Sequence, residues 1–244
     1  MREVGRPVVV GTSLGDVWQD VLSVQPDPEQ WIIVTTAVVA LATVLLGPPW
    51  RVARNVVTIA HEGGHALVAL LSGRQLTGIR LHSDTSGVTV SRGRPTGIGM
   101  IFTVFAGYVA SSVVGLLGIL MLMSGHITAL LWLSIVFLAA MLVMIRNFYG
   151  VLSIVVTGAV VFGVSWFTPH EVQGAFAYLF IWFLLFAGVR PVIELQSQRS
   201  RNPSPHSDAD QLARLTGLPG TFWVMVFLLV NLAVTALGVW LLFF

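Results

Sequence analysis

The chain is predicted to be an all-α polytopic membrane protein of about seven transmembrane or re-entrant helices, with one small β-hairpin. Composition is the first observation: of 244 residues 55% are hydrophobic and only 10% charged, too little polar residue to coat a soluble globule of this size. Apolar runs are the second. Stretches at or near spanning length lie at about 31 to 48, 53 to 72, 97 to 123, 127 to 146, 149 to 167, 172 to 193 and 221 to 244. The third is periodicity, because these runs are continuously apolar and lack the two-residue alternation of outer-membrane strands.

Residues 1–30 read as a polar lead. They carry Glu3, Asp16, Asp20, Asp27 and Glu29 ahead of the first apolar run at Trp31, so no cleavable signal peptide is expected and the first span stays as an anchor. Leu14, Val17, Trp18 and Val21 are spaced for a short amphipathic helix on the membrane surface; an unstructured tail is the alternative. Residues 31–244 then form a single membrane-embedded domain.

The second apolar run, NVVTIAHEGGHALVALL, carries His61, Glu62 and His65. On a helix the two histidines stand one turn apart, roughly 6 Å along the axis, so both imidazoles leave one face and can bind one metal ion. Zinc makes water acidic near neutral pH, and Glu62 is placed to take its proton as general base and pass it to a leaving amine. The alternative is that His61, Glu62 and His65 form a buried polar cluster that binds a neighbouring helix; Gly63 and Gly64 let another backbone approach, and packing explains them but not the histidine pair. Zinc is the expected cofactor. With no cysteine in the chain its ligands are His, Asp or Glu.

After this helix the period changes to two. Ile79 and Leu81, then Val88 and Val90, alternate with polar residues around a Ser-Asp-Thr-Ser-Gly turn, which predicts a hairpin over roughly 77 to 91. Its edge would capture an extended substrate by strand addition, or it is an ordinary solvated loop. His82 and Asp84 on the turn are read as solvated. The third apolar run contains FAGYVASSVVGLLG, where Gly107, Ala110, Ser111, Gly115 and Gly118 form a small-residue stripe suited to close helix packing. His126 and His170 fall in tight turns. Asn147, between the fourth and fifth runs, would cap the helix that follows or orient substrate. Late in the chain, residues 196–220 form a polar loop: a linker, then a short helix with Ser207 as N-cap, Asp210 at the capping-box position and Gly217 with Pro219 as stops.

Catalytic zinc keeps three protein ligands and an open position. The motif supplies two. Glu62 is the only carboxylate well inside an apolar run, so the third ligand comes from a loop that dips in, and Asp208, Asp210 and His206 are the candidates.

His61-Glu62-Gly63-Gly64-His65 on an apolar helix, a hairpin, then the Ala-Gly-Tyr helix resemble the site-2 protease family of intramembrane zinc metalloproteases. The compact form without a PDZ domain, Arg146 to Gly150 and Ser207-Asp208-Ala209 resemble its small branch in bacteria and plants. Better-understood members take the third ligand from a Leu-Asp-Gly motif, which this chain lacks. By position the resemblance carries that role to Asp208, with Asp210 as the alternative. It implies hydrolysis of a peptide bond in or near a transmembrane segment of a membrane protein, with water reaching the metal from the cytoplasmic side. The rival is a zinc-binding or metal-free scaffold that cuts nothing. A transporter is disfavoured, since no internal repeat is visible.

All thirteen basic residues are arginines. Alternation of seven spans puts eleven on the side of the N-terminus and only Arg51 and Arg54 opposite, which places the N-terminus in the cytoplasm and the C-terminus outside. A bacterial plasma membrane is the expected location, with lipid and a membrane-protein substrate as partners. The arginines are scattered without aromatic interleaving, so no nucleic-acid partner is expected.

Overall fold

The computed structural model describes residues 14–201 and 207–243. Ten helices and one hairpin follow in order: α1 (Leu14–Leu22), α2 (Gln30–Leu45), α3 (Gly47–Leu71), β1 (Gln75–Leu81), β2 (Gly87–Arg92), α4 (Ile98–Met123), α5 (Ile127–Met144), α6 (Phe148–Phe167), α7 (His170–Ala187), α8 (Val189–Arg201), α9 (Asp208–Thr216) and α10 (Gly220–Phe243). The predicted short helix in the lead is present as α1. Helices α4, α5, α6, the α7–α8 unit and α10 are each long and apolar enough to cross a membrane. Large side chains such as Val38, Leu133, Val156, Leu229 and Trp240 are exposed along them, an apolar surface that only lipid can cover. The chain is an integral membrane protein.

The first two apolar runs do not form two crossings. Helices α2 and α3 meet at 98° because Pro48 and Pro49 have no N–H to continue the ladder of α2, while their fixed φ suits the first turn of α3. The start of α2 is held at the end of the bundle where α4 turns into α5: Gln25 N donates to Gly125 O at 2.9 Å, Thr128 N to Gln25 Oε1 at 3.0 Å, and Tyr178 Oη to Asp27 Oδ1 at 3.3 Å. The end of α3 lies at the other end of α4, where Ser72 Oγ donates to Gly99 O at 3.4 Å. The two ends of the bent pair therefore lie at opposite ends of the bundle, and the chain has five helices of spanning length, six with the pair taken as one span, compatible with about seven transmembrane or re-entrant helices. The bent pair also places residues 23–30 at the end opposite the hairpin, whereas the expectation of a cytoplasmic N-terminus put them at the same end.

Three apolar clusters hold the bundle. The largest joins α2, α3, α4, α5 and α7 around Trp50, Leu131, Tyr178, Ile181 and Trp182. The small-residue stripe of α4 serves packing along most of its length: a Cβ on Gly115 would lie 2.7 Å from the Leu185 backbone, and one on Gly118 would lie 2.2 Å from Ile181. Ser111 and Ser112 donate to the carbonyls of Leu184 and Leu185 at 2.8 and 3.0 Å. A second cluster seats the hairpin through Ile79 and Leu81 on Ile59, Met141 and Ile154. A third packs Ala209 and Leu212 of α9 against Val104, Val109 and Phe227.

In the hairpin β1 pairs antiparallel with β2 in the register Ile79 to Thr89 and Arg80 to Val88. The outer edge of β1 is closed. Arg146 N donates to Ile79 O at 2.9 Å, and the Asn147 side chain accepts from Leu81 N at 3.2 Å and donates to Leu81 O at 2.6 Å. Asn147 thus extends the ladder, and its side chain makes no cap hydrogen bond to α6. Helix α8 runs to Arg201, further than the linker expected from residue 196.

Candidate metal centre

Arg54, Thr58, His61 and His65 recur at three- and four-residue spacing on α3, so they share a face. That face turns toward α4, the hairpin and the start of α9. Gly64 brings the helices together: a Cβ there would sit 2.6 Å from the Ala110 methyl and 3.0 Å from Ala106 O. Gly107 has a different part. A Cβ on it would lie 2.4 Å from both Cε1 and Nε2 of His65 and 2.8 Å from Cε1 of His61, so the imidazoles occupy the space a side chain would take.

The His65 ring is oriented by Thr103, whose carbonyl oxygen lies 2.7 Å from Nδ1. A carbonyl can only accept, so Nδ1 carries the proton and Nε2 presents its lone pair. That nitrogen is 3.0 Å from His61 Nε2. Asp208 Oδ2 is 3.2 Å from each of the two. The three atoms form a nearly equilateral triangle. Zinc bonds of 2.0–2.1 Å in a tetrahedron require ligand atoms about 3.3 Å apart, close to these edges. Asp208 Oδ2 is also buried with no hydrogen bond of good geometry, although two ring nitrogens face it. A buried carboxylate oxygen left unpaired beside two converging imidazole nitrogens fits a metal ion. Among the described residues they are the one group of three or more His, Asp or Glu able to hold a metal.

Asp208 reaches this point because Ser207 and Asp210 start α9. Asp210 N donates to Ser207 Oγ at 3.3 Å, the N-cap half of the expected capping box, and Ser207 Oγ in turn donates to Asp210 Oδ2 at 2.5 Å, side chain to side chain. Gly217, at φ 76°, ends the helix in the left-handed region. Buried Ala209 and Leu212 anchor its other face, which leaves Asp208 directed at the histidines. Asp210 is not brought to the histidines; Arg199 pairs with its other oxygen. Its carboxyl is lowered, burial being outweighed by Ser207 and Arg199. His206 lies outside the described residues. His82 and Asp84 are exposed on the hairpin turn, where Asp84 accepts from Ser86 N at 2.9 Å.

Glu62 is 3% exposed. Its Oε2 accepts from Thr89 Oγ1 of β2 at 2.6 Å, and a Cβ on Gly87 would lie 2.4 Å from its Oε1. The carboxylate is therefore wedged between α3 and β2. A cavity of about 370 Å³ opens beside it, bordered by His61, Asp208, Tyr108, Arg54 and the hairpin tip. Thr85 at that tip has φ 67°, an uncommon backbone state for a residue with a side chain. It is held there by Thr58 Oγ1, which donates to Thr85 O at 2.9 Å.

Sequence reasoning missed the group behind the cavity. Glu194 accepts from Trp50 Nε1 at 3.0 Å and from Arg190 Nε at 3.1 Å and lies 3.4 Å from Arg54. Arg190 also covers the Trp50 ring at 4.8 Å and donates to Val44 O. This network ties the α2–α3 break to α8. Its signal in the sequence is slight, since Arg54 and Glu194 both fall at the margins of apolar runs.

The chain belongs to the Peptidase M50B-like family, whose model matches residues 34–238. It is a membrane metallopeptidase family member of the site-2 protease type. No curated protein and no solved structure matches the chain.

Proposed function

With membership of a metallopeptidase family as premise, we propose that the chain is an intramembrane zinc endopeptidase that hydrolyses a peptide bond in or near a transmembrane segment of a membrane protein. One observation carries this reading: His61 Nε2, His65 Nε2 and Asp208 Oδ2 converge with edges of 3.0 to 3.2 Å, with Glu62 next in sequence on the same buried turn. His61, His65 and Asp208 would hold the ion. Bound there, zinc would supply Lewis acidity to water and to a substrate carbonyl.

The remaining steps belong to the chain. Glu62 takes a proton from the attacking water and delivers it to the amide nitrogen as the C–N bond breaks. Thr89 fixes the carboxylate by occupying Oε2, which leaves Oε1 for that transfer. A substrate helix must unwind before its peptide bonds can be reached. The α5–α6 turn closes the outer edge of β1, so the edge left for strand addition is that of β2, whose Gly87 and Thr89 touch Glu62. The cavity beside Glu62 gives water a route to the site. Arg74, Arg80, Arg92, Arg94 and Arg146 cluster around the hairpin end, which faces the cytoplasm by the positive-inside rule. The opposite end, with residues 23–30 and Phe243, then faces out.

The test is cleavage of a membrane-protein substrate by the purified full chain in liposomes with zinc. Glu62→Gln should abolish cleavage and keep the zinc. A zinc-loaded wild type that cuts no membrane protein, with a cellular phenotype that survives the substitution, would favour the non-cutting scaffold; a Glu62→Gln protein that still cleaves would remove Glu62 from the role of general base.

A further inference from the structure

Tyr108 follows Gly107 on α4 and borders the same cavity as His61, Glu62, Arg54 and Asp208. Its ring stands edge-on to His61, centroids 4.9 Å apart at 86°. On the other side it stacks on Phe227 of α10 at 4.9 Å and 22°, and Phe227 is fully buried. The Tyr108 carbonyl accepts from Asn231 Nδ2 at 3.1 Å, which ties the same turn to α10. Ring and backbone are both clamped, so the hydroxyl has little freedom.

The other hydroxyls around this cavity are engaged. Thr58 donates to Thr85 O at 2.9 Å, Thr85 to Asp84 O at 2.5 Å, Ser86 to Asp84 at 2.7 Å and Ser207 to Asp210 at 2.5 Å. The Tyr108 hydroxyl has no hydrogen-bond partner among the described residues. A phenol with an ordinary pKa of about 10 carries its proton at neutral pH and is a donor. Here is an unused, uncharged donor on a clamped ring that stands edge-on to one of the converging imidazoles.

Peptide hydrolysis needs such a donor. As the water oxygen bonds to the carbonyl carbon, the C=O π pair moves onto the carbonyl oxygen. A fixed donor aimed at that oxygen favours the transition state over the substrate, because the charge is not there beforehand. We propose that the Tyr108 hydroxyl is the hydrogen-bond donor to the scissile carbonyl oxygen as it becomes an oxyanion. Tyr108 keeps its proton throughout; the proton that reaches the amine is the one Glu62 took from water. This inference rests on the proteolytic reading above.

Tyr108→Phe removes the hydroxyl and leaves both ring contacts. In the zinc-loaded full chain it should lower kcat about 100-fold, with KM within about twofold and the zinc content unchanged. Affinity for a phosphinic peptide, whose anionic tetrahedral phosphorus mimics the oxyanion, should fall by a similar factor. Affinity for the uncleaved peptide, measured in the Glu62→Gln background, should not move. Full kcat and full phosphinate affinity in Tyr108→Phe would overturn the proposal. So would a fall in kcat that tracks lost zinc, which would make the tyrosine a support for the His61 ring. If the wild type cleaves nothing, the proteolytic reading itself fails, a different result from either.

Discussion

Substituting Gly107 with alanine perturbs the two imidazoles from outside the ligand set. The added Cβ would start 2.4 Å from Cε1 and Nε2 of His65 and 2.8 Å from Cε1 of His61. Non-bonded carbon contacts settle at about 3.5 Å or more, so the His65 ring must retreat by about 1.1 Å or α4 must move away from α3. Helix retreat is resisted by the Thr103 carbonyl bond to Nδ1, which ties α4 to the His65 ring, and would open a gap where α3 and α4 pack closely at Gly64. Ligand sites tolerate displacements of only about 0.5 Å. The expected result is a zinc affinity at least tenfold weaker in a protein whose folding stability falls by about 1–3 kcal/mol. The assay is zinc retained against a graded series of competing chelators, with thermal unfolding in parallel. Gly163→Ala is the control, because a Cβ at that position meets nothing within 4 Å. Wild-type zinc affinity in Gly107→Ala would refute the placement of the rings against α4.

Three further outcomes follow from the same geometry. Gly87→Ala puts a Cβ on the Glu62 carboxylate and touches none of the metal-facing atoms, so cleavage rate should fall at least tenfold with zinc content unchanged; joint loss of both would argue against separate roles. Asn147→Ala leaves Leu81 N and O without partners, which should cost about 1–3 kcal/mol and speed amide exchange at Leu81; unaltered exchange would mean that the strand edge holds without it. Acidification should release zinc, because protons compete with the metal for the imidazole nitrogens, and metal analysis after dialysis at stepped pH reads this. The sign is fixed by metal competing with protons for Nε2, so zinc bound more tightly at pH 5 than at pH 7 contradicts histidine ligation.

Much of the site was legible because its spacing is local. Two histidines four apart and an acid between them define one helix face whatever the fold. The N-cap was equally local: Ser207 and Asp210 stand three residues apart and bond to one another, whereas the choice of Asp208 as third ligand came from its position in the resemblance. Three-dimensional pairings were not legible. Asn147 looks like an N-cap in sequence, yet its side chain turns to Leu81, sixty-six positions earlier, where a strand edge needs both a donor and an acceptor. Glu194 finds Arg54 and Trp50 only because α2 and α3 break beside α8. The break was written as Gly47-Pro48-Pro49, but hydropathy counts apolar length and is blind to direction, so the 98° bend between α2 and α3 was not legible. Gly107 belongs to a stripe that otherwise packs helices; nothing in its spacing separates the one glycine that makes room for imidazoles.

The most direct test is zinc X-ray absorption on the wild-type chain and on Asp208→Ala. Convergence of His61, His65 and Asp208 predicts a first shell of two imidazoles and a carboxylate oxygen, with bonds of about 2.0–2.2 Å, and loss of that oxygen together with weaker binding in the variant. A spectrum that Asp208→Ala leaves unchanged, or a third imidazole where the carboxylate should be, would contradict it.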